Sequence, residues 1–235
     1  MSDIRYKTIL LDADGTVYDF HKAEKTALKQ TFTQIGIEWT KERNRIYLEE
    51  NEKIWKEFEQ NLLSPQEFKT ERFRRFFDRI DLSVDIDNRT VNDIYVDNLS
   101  KCGFLFDGAF EFVRTLKRYC KVYIATNGLT KAQRGRYKNS GLSTVTDGIF
   151  ISEIMGIRKP AKAYFDYIFN ELNITDTQSV IMIGDSLSSD MQGGRNAGIT
   201  TCLYNPQRNI AENSLCDFVA CTYDEILNII IEPKN

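Results

Sequence analysis

Histidine is almost missing from this chain: His21 is the only one in 235 residues. That scarcity argues against histidine-centred catalytic triads and histidine-rich zinc sites. Cysteine is sparse too. Cys102, Cys120, Cys202, Cys216 and Cys221 make an odd set without a CxxC pair, so neither a disulfide framework nor a thiolate zinc site is indicated. Cys120, Cys202 and Cys221 lie in apolar, strand-like runs and read as buried, reduced thiols. A catalytic cysteine would need a partner base, and only His21 is on offer. There is no basic surplus, with 31 basic against 34 acidic residues and a net charge of −3. The balance speaks against a nucleic-acid polymer or a membrane surface as partner. No stretch approaches the run of about 18 apolar residues that spans a bilayer. The opening MSDIRYKT has no secretory apolar segment, so a cytoplasmic enzyme is the expectation. Its chemistry must rest on carboxylates, a lysine, hydroxyls and backbone.

What is present has a clear order. Three short apolar runs end in polar clusters. Thr8–Leu11 runs into Asp12-Ala13-Asp14-Gly15-Thr16, Lys121–Ala125 into Thr126-Asn127-Gly128, and Val180–Ile183 into Gly184-Asp185-Ser186. Their apolar residues are continuous rather than alternating, as in strands buried on both faces. Gly148–Ser152, Thr201–Tyr204 and Phe218–Cys221 are further strand candidates. Between them, Phe165, Ile168, Phe169 and Leu172 follow helical spacing, and Phe112, Val113 and Leu116 suggest another helix. Thr130-Lys131-Ala132-Gln133 has the form of a capping box, and Pro160 reads as the start of the helix bearing Phe165. Alternating strand and helix from about residue 104 onward predicts an α/β, Rossmann-like, doubly wound parallel sheet.

The stretch 20–101 breaks that alternation, because it holds no convincing strand. Tyr47, Ile54, Trp55, Phe58 and Leu62 suggest one amphipathic helix. Ser64-Pro65-Gln66-Glu67 opens a second, carrying Phe73, Phe76, Phe77 and Ile80. Val91, Ile94, Tyr95 and Leu99 suggest a third. The expected organisation is a core of residues 1–19 and 102–235 with an inserted helical cap, 20–101, over the carboxyl ends of the strands, where open α/β sheets bind ligands. Trp55, Phe58 and Phe73 could stack on a base, but their helical spacing fits cap core better. His21 reads as a structural or solvent residue.

Asp12-Ala13-Asp14-Gly15-Thr16 is the sharpest chemical signal. A turn at Asp14-Gly15 can aim both carboxylates at one site. One carboxylate can attack phosphorus, and the other can protonate a leaving oxygen and then deprotonate water. Asp185 and Asp190 add acids at another strand end. Clustered carboxylates repel, and a hard cation such as Mg²⁺ relieves that through oxygen ligands. Asp12 and Asp185 would serve as side-chain ligands, while Asp190 fits direct ligation or a supporting role equally well. Thr126 and Asn127 stand at a helix entry, a favoured place for phosphate, although a plain turn explains them as well. Lys159 can neutralise phosphate and nucleophile as a point charge. A lone lysine usually faces solvent, so it persuades only in this company.

Together these segments resemble the haloacid dehalogenase-like (HAD) superfamily, specifically its phosphatases. They stand in the family's order: Asp12-Ala13-Asp14-Gly15-Thr16, Thr126-Asn127, Lys159, then Gly184-Asp185 with Asp190. The resemblance implies Asp12 as nucleophile and Asp14 as general acid and base. It implies Thr126 and Lys159 as phosphate ligands with Asn127 assisting. Asp12, the Asp14 carbonyl and Asp185 would hold Mg²⁺. Tyr18-Asp19-Phe20, Thr126-Asn127-Gly128-Leu129-Thr130, Ile151-Ser152-Glu153 and Arg158-Lys159-Pro160 are similar to the noncanonical pyrimidine 5′-nucleotidase subfamily. So are Gly184-Asp185-Ser186-Leu187 with Gly193-Gly194, and Thr201–Asn205. The implied substrate is a small phosphate monoester, a nucleoside 5′-monophosphate first. Other phosphorylated metabolites and a phosphomutase outcome are alternatives. A haloacid dehalogenase would leave Asp14 and Asp185 without work, and a non-enzymatic binding protein would not need the full set of acids with Lys159.

Overall fold

The computed structural model describes residues 4–60, 62–210 and 214–231, without the side chain of Glu59. Six strands build one sheet: β1 (Thr8–Leu11), β2 (Lys121–Thr126), β3 (Gly148–Ile151), β4 (Val180–Gly184), β5 (Thr200–Tyr204) and β6 (Phe218–Ala220). Their order is β3-β2-β1-β4-β5-β6, and every neighbouring pair is parallel. Continuous apolar strands need helices on both faces, and both faces are covered. Ile9, Leu11, Val122, Ile124, Ile181 and Ile183 join one core cluster, while Leu10, Ala125, Val180 and Met182 join the other. Alternate residues of each strand thus feed opposite layers.

Helices α1 (Phe20–Gln34), α2 (Lys41–Glu59), α3 (Pro65–Arg79) and α4 (Asn88–Lys101) follow β1. Then come α5 (Ala109–Leu116), α6 (Thr130–Asn139), α7 (Ser152–Met155), α8 (Lys162–Glu171), α9 (Gln192–Ala197) and α10 (Tyr223–Ile231). Phe112, Val113 and Leu116 of α5 and Ile226 and Ile230 of α10 pack on the first face. Tyr164, Phe165, Ile168 and Phe169 of α8 pack on the second.

The chain divides into two compact units, 1–20 with 103–235, and 21–102. The second unit has an aromatic core. Tyr47 of α2 packs against Phe73 and Phe76 of α3 and Tyr95 of α4, with ring centroids 5.4–5.9 Å apart. Trp55 and Phe58 both pack on Phe68, each at 4.6 Å, so these rings pack among themselves as their helical spacing suggests. The Ser64 capping box forms in full, with Pro65 opening α3.

Four local expectations need correction. Leu62 lies beyond the end of α2 and is 66% exposed. Pro160 sits in a turn, and α8 starts at Lys162 behind Ala161. Thr130 is not a cap: Leu129 occupies that position without a side-chain bond, and Glu153 Oε2 accepts from the Thr130 N–H at 2.7 Å. The five cysteines form no disulfide with one another, but Cys221 is only half-buried, because β6 ends one residue earlier.

Candidate active site

Strand register carries the acids to one edge. Leu11 pairs with Ile124 on one side and Ile183 on the other, so the carboxyl ends of β1, β2 and β4 lie side by side, with β2 running two residues and β4 one residue further. Asp12 follows at once, its N–H bonded to the Ile183 carbonyl at 2.8 Å. This edge is also where the strand order turns back, the crevice in which open parallel sheets hold ligands.

Lys159 organises the site. It comes from the loop between α7 and α8, yet it is only 1% exposed. Its Nζ donates to Asp12 Oδ1 at 2.6 Å, Asp190 Oδ1 at 2.6 Å and the Ala125 carbonyl at 2.7 Å. All three ammonium protons are therefore placed. Asn127 holds the lysine's backbone from both sides: its Oδ1 accepts from the Lys159 N–H, and its Nδ2 donates to the Lys159 carbonyl, each at 2.9 Å. Thr126 is buried, and its hydroxyl accepts from the Gly128 N–H at 3.0 Å.

Asp190 is fully buried and bonded at both oxygens, to Lys159 and to the Ser186 N–H at 3.1 Å. Asp185 is less satisfied, with Thr16 Oγ1 donating at 3.5 Å. Two glycines make room. A Cβ at Gly15 would lie 2.1 Å from Asp185 Oδ2, and one at Gly184 would lie 2.2 Å from Asp190 Oδ2. Gly15 also has a φ of +82°, which L side chains rarely adopt.

Oxygens of Asp12, Asp185 and Asp190 lie within 4.8 Å of one another, and among the described residues Lys159 is the cation bonded to the cluster, at Asp12 and Asp190. Burial, reinforced by Asp190 and Asp185, pushes the Asp12 carboxyl well above its ordinary range despite Lys159. Burial and the Asp190 charge push Asp185 up to about 7. Burial would lower Lys159, but Asp12 and Asp190 outweigh it and hold the ammonium well above its usual value. Negative charge is in excess, which suits a hard cation on oxygen donors. Asp190 has both oxygens engaged, so Asp185 and the remaining oxygen of Asp12 are the side-chain donors that fit such an ion.

Asp14 turns to a different set. Its Oδ2 accepts from Gln133 Nε2 at 2.7 Å, and its Oδ1 faces Arg136 Nη1 at 2.6 Å. Asp12, Asp190, Lys159 and Asn127 are thus joined by hydrogen bonds, and Asp185 lies close to Asp12 and Asp190; Thr126 stands next to Asn127 in the chain and bonds within its own turn, and Asp14 pairs with Gln133 and Arg136 instead. Gln133 and Arg136 escape a reading of the sequence. Gln133 passes for part of a cap, and an arginine in a polar helix passes for a solvent residue. Their i, i+3 spacing directly after Thr126-Asn127-Gly128 is the signal that was available. His21 is exposed.

Comparison with known proteins agrees with this architecture. A family model described as haloacid dehalogenase-like hydrolase matches residues 6–198. HAD-hydrolase YfnB of Bacillus subtilis is 34% identical over 202 residues, 86% of this chain and 85% of its own length. Its crystal structure, described as bound to magnesium and as revealing interdomain movement, superimposes with a TM-score of 0.89, covering 97% of this chain and 99% of that one at 31% identity. Pyrimidine 5′-nucleotidase PynA of Streptococcus pneumoniae is 35% identical over 86% of this chain and 84% of its own. Pyrimidine 5′-nucleotidase YjjG of Escherichia coli is 27% identical over 86% and 87%. The chain belongs to the haloacid dehalogenase-like hydrolase family.

Proposed function

We propose that this hydrolase is a Mg²⁺-dependent phosphatase of small phosphate monoesters, with pyrimidine nucleoside 5′-monophosphates as its preferred substrates. The observation that carries the reading is the buried Lys159 ammonium joined to Asp12 and Asp190 at the switch point of the sheet. The substrate class is drawn from PynA and YjjG.

Asp12 is the nucleophile. One of its oxygens attacks phosphorus, the bond from phosphorus to the nucleoside 5′ oxygen breaks, and an aspartyl-phosphate remains. Asp14 delivers a proton to the departing alkoxide, which leaves as a neutral alcohol. Water then attacks the phosphorus of the aspartyl-phosphate while Asp14 takes its proton. The phosphorus–Asp12 bond breaks, inorganic phosphate leaves, and the Asp12 carboxylate and the Asp14 proton are restored. Lys159 keeps Asp12 in line and offsets phosphate charge. Thr126 donates its hydroxyl proton to a phosphate oxygen, and Asn127 fixes the lysine. Asp12, Asp185 and the Asp14 carbonyl would hold Mg²⁺, with Asp190 supporting Lys159. The ion's contribution is to offset the repulsion between an anionic nucleophile and an anionic phosphate. Unit 21–102 is the cap that selects among leaving groups.

A phosphate-release screen over nucleoside 5′-monophosphates and sugar phosphates, with Mg²⁺ present, tests this. Uridine and thymidine monophosphates are expected to turn over fastest. Failure to release phosphate from any monoester would falsify the phosphatase reading, and a preference for sugar phosphates would overturn the substrate class.

A further inference from the structure

We infer that Gln133 and Arg136 are positioning residues that set the direction of the Asp14 carboxyl before substrate arrives. The inference rests on the reading of Asp14 as proton donor and goes beyond it, because it gives the proton donor its own supporting shell.

Each oxygen of Asp14 has one side-chain partner, Gln133 Nε2 at 2.7 Å and Arg136 Nη1 at 2.6 Å. The two partners stand one turn apart on α6, so a single rigid element fixes the carboxyl from both sides. Arg136 is 0% exposed, an unusual state for an arginine. Its guanidinium carbon stands 4.3 Å from the centroid of the Tyr18 ring and 5.5 Å from that of Phe20. None of its nitrogens makes a hydrogen bond of good geometry among the described residues. Asp14 Oδ1 is the acid oxygen that this buried guanidinium faces. Packing and the tyrosine face fix the guanidinium, and the guanidinium in turn fixes Asp14.

A second, independent observation concerns Gln133. A Cβ at Gly128 would lie 2.2 Å from Gln133 Nε2 and 2.8 Å from its Cγ. The turn that opens α6 is thus bare where the Gln133 side chain crosses toward Asp14. Two of these features, the missing Cβ and the buried arginine, have no role in binding phosphate at Lys159. Both are accounted for by an acid whose direction must be set. A carboxyl held in place loses less conformational freedom on reaching the transition state, and a misplacement of about 1 Å can cost about a hundredfold in rate.

The test separates positioning from a structural role through the leaving group. kcat/KM, which reports the steps through departure of the leaving group, is measured for uridine 5′-monophosphate and p-nitrophenyl phosphate. The first leaves as a poor alkoxide that needs the Asp14 proton, and the second leaves readily without it. Wild type, Asp14→Asn, Arg136→Met, Arg136→Lys and Gln133→Ala are compared, with Tm recorded for each. Arg136→Met and Gln133→Ala are expected to lose about 10- to 100-fold on the nucleotide and several-fold less on the aryl ester. Arg136→Lys, which keeps the charge but not the fork, should recover part of the loss. Gln133→Ala does not disturb a buried charge and keeps the test valid should Arg136→Met fold poorly. Equal losses on both substrates in the two positioning variants, beside a leaving-group-dependent loss in Asp14→Asn, would overturn the inference and leave the phosphatase reading intact. If Asp14→Asn itself loses both substrates equally, Asp14 is not the proton donor, and the inference falls with that assignment.

Discussion

Asp12 and Lys159 show how strongly single side chains are coupled here. Asp12→Asn keeps the shape of the side chain and removes the attacking oxygen charge, so turnover should vanish while Tm stays close to wild type. Substantial activity in that variant would move the nucleophile elsewhere. Lys159→Met takes the ammonium from between two buried carboxylates, and breaking a buried pair in this way costs about 3–5 kcal/mol; urea unfolding with chelator present measures it. The acid cluster also makes a pH prediction. Asp12 and Asp185 have folded-state pKa values above the ordinary carboxylate range, Asp185 at about 7. The cation-free native state therefore binds more protons than the unfolded chain once pH exceeds the unfolded values. Stability is fully present below those values and falls as pH climbs toward about 7, by at most about 1.4 kcal/mol per pH unit for each proton. Tm in EDTA should drop between pH 5 and pH 7.5, and added Mg²⁺ should restore most at the upper end. A flat profile in EDTA would contradict the excess of negative charge. At this scale Asp12 and Asp185 were legible, because each follows a continuous apolar strand, and Lys159 was legible only in their company. Gln133 and Arg136 were not, because a polar helix face reads as solvent until another segment is folded over it.

Strands were the most legible elements, and the reason is burial on both faces. A continuous run such as Val180–Ile183 is too short for a buried helix and too apolar for an exposed strand, and all four of its residues are 0% exposed. Ile181→Ala should cost about 2–5 kcal/mol by chemical denaturation, since the cavity opens in the middle of the sheet. A loss under about 1 kcal/mol would mean that the layer can collapse around the gap. Gly184→Ala is expected to act at the end of the same strand. Its Cβ would meet the fully buried Asp190 side chain at 2.2–2.8 Å, so stability should fall by about 1–3 kcal/mol and kcat should fall with it; unchanged kcat would show that Asp190 can move aside without consequence. Helix starts were less legible. Ser64-Pro65-Gln66-Glu67 formed its capping box, with Ser64 and Glu67 bonded to each other and, among the described residues, to no competing side chain. Thr130-Lys131-Ala132-Gln133 has the same local form, yet Glu153 satisfies the Thr130 N–H and Asp14 draws Gln133 away. Local rules hold where a segment faces water and yield where another chain segment offers a better partner.

At the largest scale the chain is two compact units, 1–20 with 103–235 and 21–102. If unit 21–102 is the selector, exchanging it for the corresponding segment of another family member should change which monoester is preferred, while the Mg²⁺ requirement remains. An unaltered substrate profile after the exchange would count against that role. Sequence alone determined the class of the fold, the existence of a helical insertion after β1, and the order of the acidic segments, because these depend on periodicity and composition along the chain. Tertiary structure alone decided that Lys159 is buried between Asp12 and Asp190, that Asn127 grips its backbone, and that Asp14 is held by Gln133 and Arg136. Those contacts join residues from 31 to 147 positions apart. Neither hydrophobic pattern nor local propensity encodes such distances. Strand register and the crossovers of a parallel sheet bring the segments together, and only the folded chain can exclude water from a lysine and an arginine so that each must find its carboxylate.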